Sequence, residues 1–103
     1  MFVYLWEYVV PPENQAEFER EYGPEGAWVA LFSKAPGYLD TVLLRDRSRS
    51  NRFLTIDRWE SEQAHAEFRE AFSAEFEKLD ARCERLTGSE TLIGHFQSCG
   101  RAF

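Results

Sequence analysis

Phe2 to Val10 reads FVYLWEYVV, an almost wholly apolar run with one charge, Glu7. It is too short for a buried helix and rich in β-formers, so it predicts a strand covered on both faces. Alternation sends Val3, Leu5, Glu7 and Val9 one way and Phe2, Tyr4, Trp6, Tyr8 and Val10 the other. Pro11-Pro12 ends the strand and opens a helix from Glu13 to Tyr22, with Phe18 and Tyr22 inward and Gly23-Pro24 as its stop. Ala27 to Phe32 (AWVALF) predicts a short helix, apolar nearly all round and therefore buried. Ala35-Pro36-Gly37 is a turn, and Tyr38–Arg45 and Arg52–Trp59 predict two strands joined by an arginine-rich tip. Ser61 suits the N-cap of the next helix. Phe68, Phe72, Phe76, Leu79, Cys83 and Leu86 form one helical stripe, continuous to Leu86 or broken once near Ser73. Thr87-Gly88-Ser89 ends it, and Thr91 to Phe96 predicts a last strand running towards Cys99.

The order is β, α with an extra short helix, β, β, α, β. This is the α+β, ferredoxin-like split β-α-β arrangement, with both long helices on one face of a four-stranded antiparallel sheet. The first strand is apolar on both faces, and the helices cover only one. A second copy of the chain is the economical cover for the other, so a homodimer with its sheets face to face is expected. The whole of residues 1–103 reads as one domain.

Composition narrows the function classes. Aromatic residues make up 16 % of the chain, enough for a large core, a ring-lined pocket, or both. The net charge of −6 argues against nucleic acid or an anionic membrane as partner. The segment Arg45 to Arg52 is the local exception, with four Arg against one Asp, and it reads as a solvated hairpin tip in preference to an anion site. Cys83 and Cys99 form no CxxC or metal-spaced cluster, so no metal site is expected. No signal-peptide pattern precedes Phe2 and no apolar run reaches membrane-spanning length, which makes the cytoplasm the expected location.

The segment FLTIDRWESEQAHAEF resembles the strand-to-helix block of the antibiotic biosynthesis monooxygenase superfamily of dimeric α/β-barrel proteins. In that block an apolar strand ends in Trp, here Trp59. A polar pair follows, Glu60-Ser61, and then a helix with an Ala, Ala64, and an aromatic, Phe68. GYLDTVLLRD looks like the preceding family strand. The resemblance implies cofactor-independent oxygenation of polycyclic anthrones or quinols, or haem degradation. The family's haem degraders use a strand Asn, a helix Trp and a helix His. Those positions fall at or near Trp6, at Phe68 and near Lys78, so that route is not expected here. The anthrone oxygenases pair an Asn with a Trp, and the asparagines of this chain are Asn14, at a helix start, and Asn51, in the hairpin.

The candidate chemistry follows. His65 shares a helix side with Phe68 and reads as a pocket-mouth base or donor, or as a partly exposed helix residue. Trp6 and Tyr38 are the better pocket candidates among the aromatics, because each carries a polar tip near the helix-facing side. His65, Trp6 and Tyr38 are thus the candidate catalytic residues. Tyr8, Trp28, Phe32, Trp59, Phe68, Phe72 and His95 are candidate walls for a flat hydrophobic aromatic ligand, with ordinary core packing as the alternative for most and expected above all for Trp28 and Trp59. Glu7, on the dimer-facing side, is expected to pair with Arg58, while Asp57 and Asp40 are expected to face solvent or the interface. Three functions remain open: a cofactor-independent monooxygenase, a non-catalytic dimer that holds a small hydrophobe or serves as a scaffold, and, behind these two, haem binding with atypical ligands through His65 or His95.

Overall fold

The computed structural model describes residues 1–100. Its elements are β1 (Phe2–Val9), α1 (Gln15–Tyr22), α2 (Ala27–Phe32), β2 (Tyr38–Arg45), β3 (Arg52–Trp59), α3 (Glu62–Ala71), α4 (Ser73–Cys83) and β4 (Ser89–Gln97). Single 3-10 turns at Pro12–Asn14 and Glu84–Leu86 lead into α1 and out of α4. The strands form one antiparallel sheet in the order β2-β3-β1-β4, the ferredoxin-like order expected from the sequence. The expected helical stripe is indeed broken once. Phe72 leaves helical geometry at φ −116° and ψ 27°, yet amide bonds from Phe72 to Phe68 and from Phe76 to Phe72 carry the chain across the bend.

All helices lie on one side of the sheet, and the core fills the space between. Phe18, Phe53, Trp59, Phe68, Val10, Cys83 and Leu86 are fully buried there. Rings from different elements interlock at centroid distances of about 5 Å, as in Tyr8–Phe18 (5.2 Å), Phe18–Phe53 (5.0 Å) and Trp59–Phe68 (5.1 Å). Ser61 caps α3 as expected, its hydroxyl accepting the Ala64 amide at 3.0 Å. The turn before β2 depends on Gly37, whose φ of +90° lies in the left-handed region. A Cβ at that position would stand 2.6 Å from the Ala64 side chain, so α3 touches the backbone there. The Gly37 carbonyl in turn accepts the Glu60 amide at 2.7 Å.

No described residue covers the other sheet face. Val42, Leu44 and Phe96 are 42–51 % exposed on it. Val3, Leu5, Leu54 and Ile56 lie between them in register. The molecule measures 36 × 36 × 21 Å, a two-layer slab. The ion pairs on this face differ from the expected one. Glu7 bonds Arg52 at 2.6–2.7 Å, and Arg52 also holds Asp46 at 3.0 Å. Arg58 instead grips Asp40, with Nε to Oδ1 at 2.6 Å. The register explains the correction: Glu7 lies opposite Leu54, and Arg58 lies opposite Val3, four positions along β1 and roughly 13 Å away. Arg45 pairs with Glu19 at 3.0 Å, and Asp46 accepts the Ser48 and Arg49 amides, so much of the arginine-rich tip serves the hairpin itself.

Removing the Trp59 ring by Trp59→Ala should cost about 3–5 kcal/mol in urea unfolding. Gly37→Ala should cost about 1–3 kcal/mol through its backbone conformation and the Ala64 contact. A Gly37→Ala protein as stable as the parent would show that the turn does not need its left-handed residue.

Candidate functional site

A cavity of about 210 Å³ lies between the sheet and the helices. Its floor is the inner sheet face: Tyr4, Trp6 and Tyr8 of β1, Thr55, Asp57 and Trp59 of β3, and Thr41 of β2. Its roof comes from the helices, with His65 and Arg69 of α3, Trp28 and Phe32 of α2, Tyr22 of α1, and Phe76 and Asp80 of α4. Glu90 of β4 closes one side. Six of the sequence candidates therefore meet at this cavity: His65, Trp6, Tyr8, Trp28, Phe32 and Trp59.

The other four lie off the wall. Phe68 is core behind Trp59 and Phe32, and Phe72 stacks on Phe68 at 5.7 Å. His95, on edge strand β4, is exposed and lies against Tyr4 and Phe2 at 5.6 and 5.7 Å. Tyr38 sits one hydrogen bond behind the wall, its hydroxyl 2.7 Å from Thr41 Oγ1. Both asparagines are elsewhere, with Asn14 donating to the Leu86 carbonyl at 3.3 Å and Asn51 accepting the Val10 amide through its backbone carbonyl at 2.8 Å.

Asp57 corrects the sequence expectation. It does not face solvent or the outer surface. Alternation from the buried Phe53, Thr55 and Trp59 turns it to the inner face, opposite Tyr4 on one side and Thr41 on the other. Thr41 Oγ1 donates to Asp57 Oδ1 at 2.8 Å. The Thr41 hydrogen is committed there, so Tyr38 is the donor in the bond behind it, and a chain runs Tyr38 to Thr41 to Asp57. No cation pairs with Asp57 among the described residues. Burial pushes its carboxyl up to about 6, against the pull of the Thr41 bond.

His65 is held over the floor by rings. Tyr4 lies 4.3 Å from it and Trp59 5.2 Å, centroid to centroid. Burial, with the charges of Arg69 and His95, lowers its imidazole to about 4, so it is neutral at physiological pH. Tyr4, Tyr8 and Tyr38 are all raised by burial and stay protonated, available as donors and not as bases. Tyr8 also shares a 3.3 Å hydrogen bond with Thr55. Arg69, one turn beyond His65, places its guanidinium 3.8 Å from the centre of the Phe76 ring. The Trp28 indole N–H is buried at the cavity wall near the Tyr22 hydroxyl, and among the described residues it makes no hydrogen bond of good geometry. The site thus offers aromatic walls, donors from Trp28 and the tyrosines, one surface cation and one buried carboxylate.

Of the residues of most chemical interest, the sequence expectation turned Asp57 to the wrong side and passed over Arg69. Each had a signal. Asp57 is two residues from Trp59 on the same strand face, and Arg69 is four from His65 on the same helix face. Among the described residues no three His, Cys, Asp or Glu side chains stand together so as to hold a metal ion, and no helix is long and apolar enough to cross a membrane.

Similar folds occur among solved structures. SnoaB, a cofactor-independent oxygenase from Streptomyces nogalater, is 23 % identical with a TM-score of 0.70, over 98 % of this chain and 95 % of that one. PA3566 from Pseudomonas aeruginosa is 19 % identical with a TM-score of 0.67, over 96 % and 94 %. A mutant of MhuD with two manganese protoporphyrin IX molecules per active site is 19 % identical with a TM-score of 0.75, over 100 % and 99 %. At these identities the likeness is one of fold. No curated protein matches the chain. The antibiotic biosynthesis monooxygenase family model matches residues 1–79, the segment that carries β1 to β3, α1 to α3 and every lining position of the cavity except Asp80 and Glu90, and on that match the chain belongs to the antibiotic biosynthesis monooxygenase family.

Proposed function

We propose that this protein is a cofactor-independent monooxygenase of a compact fused-ring phenol, anthrone or quinol. The observation that supports this reading is the pairing, in one aromatic cavity, of a carboxylate that has no cation partner among the described residues with a neutral imidazole. A flat electron-rich ring would stack among Trp6, Tyr4 and Phe32. The cavity is smaller than the usual range of about 300–1,000 Å³, which favours a ligand of about two or three fused rings with one edge at the mouth.

Oxygen reacts slowly with a neutral arene and faster with its anion, so the enzyme's task is to remove a proton and hold the resulting charge. For an anthrone-type methylene the balance is closed: the carbon gives up two hydrogens and four electrons, one oxygen atom becomes the carbonyl, and the other leaves as water. Arg69 at the mouth supplies the positive charge for the developing oxyanion, and the Trp28 N–H supplies a donor on the wall. A non-catalytic holder of a small hydrophobe is the second reading, supported by the absence of either asparagine from the cavity.

We also infer that a second copy covers the outer sheet face. The face is apolar, and its charges are already satisfied internally by the Glu7–Arg52–Asp46 and Arg58–Asp40 pairs, which leaves little to attract a charged partner. Two-fold packing of identical sheets fits such a surface.

With anthrone and a naphthohydroquinone as probes, oxygen uptake should exceed the buffer rate, one ¹⁸O atom from labelled dioxygen should enter the anthrone product, and hydrogen peroxide should not accumulate. Uptake equal to buffer across the panel, with a ligand recovered unchanged, would favour the binding protein. Arg69→Met should lower kcat by about tenfold or more if its charge stabilises the oxyanion. In sedimentation the parent should run at twice the chain mass, and Val42→Glu with Leu44→Glu should shift it to the monomer. A monomeric parent would remove the face-to-face assembly.

A further inference from the structure

We propose that Asp57 is the catalytic base that takes the substrate's proton, with Thr41 and Tyr38 as the positioning chain behind it. The inference rests on the oxygenase reading and assigns the proton step within it.

Three geometric facts carry it. Asp57 faces the cavity from the middle of the sheet, between Tyr4 and Thr41 in register. Its two oxygens are not equivalent: Oδ1 is held by the Thr41 hydroxyl at 2.8 Å, and Oδ2 has no hydrogen bond among the described residues. Nor does Oδ2 count among the fully buried unsatisfied atoms, where Trp28 Nε1 alone is found among the described residues, so it is open to a ligand in the cavity. One oxygen is fixed and the other is free, which is the arrangement a positioned base requires.

A structural carboxylate in this place would be expected to have a cation. The outer face shows that the same sheet can provide one, since Asp40 is gripped by Arg58 and Glu7 by Arg52. Asp57 has only hydroxyl support. The two possible bases also differ in strength. Burial raises the carboxyl to about 6 and lowers the imidazole to about 4, so Asp57 is the better proton acceptor of the two while still ionised at neutral pH. The other titratable groups around the cavity are Tyr4 and Tyr8 from β1, Tyr22 from α1, Tyr38 from β2, His65 and Arg69 from α3, Asp80 from α4 and Glu90 from β4. The tyrosines are protonated, and His65 is neutral above about pH 5; Glu90 at the side is also raised by burial and by its acidic neighbours Asp80 and Glu84, and Asp57 is the carboxyl on the floor, with its ionisation changing near pH 6.

In the step, the substrate C–H bond breaks and its electron pair stays on the ring system as a delocalised anion. The proton goes to Asp57 Oδ2, and the carboxylate becomes a neutral carboxylic acid. Net charge in the cavity is unchanged; the negative charge moves from Asp57 to the substrate. As the carboxyl gains its proton, the Thr41 hydroxyl stays on Oδ1 and the acid keeps its orientation. Thr41 also favours the ionised carboxylate before the step, so its loss should raise the pH at which Asp57 becomes active.

The test separates proton abstraction from oxidation. Anthrone is incubated with the protein in D₂O under nitrogen, and loss of its methylene proton signal is followed by NMR. The parent should accelerate exchange, with a rate that falls below about pH 6. Asp57→Asn should lose that acceleration about 100-fold or more and with it the acid limb. Thr41→Val, which retains the carboxylate, should retain exchange and move the limb to higher pH. Because ionised Asp57 is held in a buried place, Asp57→Asn should be no less stable than the parent at pH 7. If it does not fold, the direction of the Thr41→Val shift decides, and an unmoved limb overturns the assignment. Exchange by Asp57→Asn equal to the parent overturns the assignment and leaves the oxygenase reading intact. A parent that exchanges no proton also overturns it, and oxygen uptake in air then judges the oxygenase reading separately.

Discussion

Trp59 is the joint on which the site depends. It ends β3 fully buried, and its ring meets Phe32 of α2, Tyr38 of β2, and His65 and Phe68 of α3 within 5.1–5.7 Å. The chain turns into α3 two residues later, and Ser61 caps the first helical turn. On the other side of the joint Gly37 lets the Ala64 side chain approach the backbone. A side chain there would push α3 away, and with it the imidazole over the cavity floor. One close contact and one large ring therefore set the distance between His65 on the helix and Asp57 on the sheet. Because interiors are close-packed, neither can change without the roof moving relative to the floor.

The two sheet faces use their charges differently. On the outer face Glu7 and Asp40 are paired with arginines and remain partly hydrated, a cheap arrangement of modest net worth. On the inner face Asp57 is supported by hydroxyl groups only. Burial of a carboxylate without a cation opposes folding, and its raised pKa is the measure of that opposition. Its contribution is most favourable below the unfolded carboxylate range and is lost as pH rises through about 6. His65 acts in the reverse sense, because its lowered pKa gives stability above its unfolded value that is lost as pH falls towards about 4. The two groups thus oppose one another across the mildly acidic range. Local arrangements that work against stability are characteristic of functional sites.

Membership of the antibiotic biosynthesis monooxygenase family frames the site without completing it. The asparagine that the anthrone oxygenases pair with a tryptophan has no counterpart in this cavity, where the strand floor carries Thr55 and Asp57 beside Trp59. A carboxylate changes what the floor can do. An amide can orient and donate, whereas a carboxylate can accept a proton outright. The fold supports either chemistry, since function resides in the few side chains that the sheet and α3 bring together.

The sequence by itself determined the elements, their order and the two-faced sheet. The apolar run of β1, the stop at Gly23-Pro24, the cap at Ser61 and the stripe from Phe68 to Leu86 are local signals, and local physics reads them. It also brought Trp6, Tyr8, Trp28, Phe32, Trp59 and His65 into consideration together. Only the tertiary structure decided which rings line a space and which fill the core, because Trp59 on its strand and Phe68 on its helix both read locally as inward rings and differ in what packs around them. Only the strand register decided that Glu7 meets Arg52 and not Arg58, since pairing across a sheet is set by alignment of distant segments. Asp57 lies between these cases. Its facing was legible from alternation with Phe53, Thr55 and Trp59, but its support by Thr41 and the lack of a cation beside it exist only once β2 and α3 are in place.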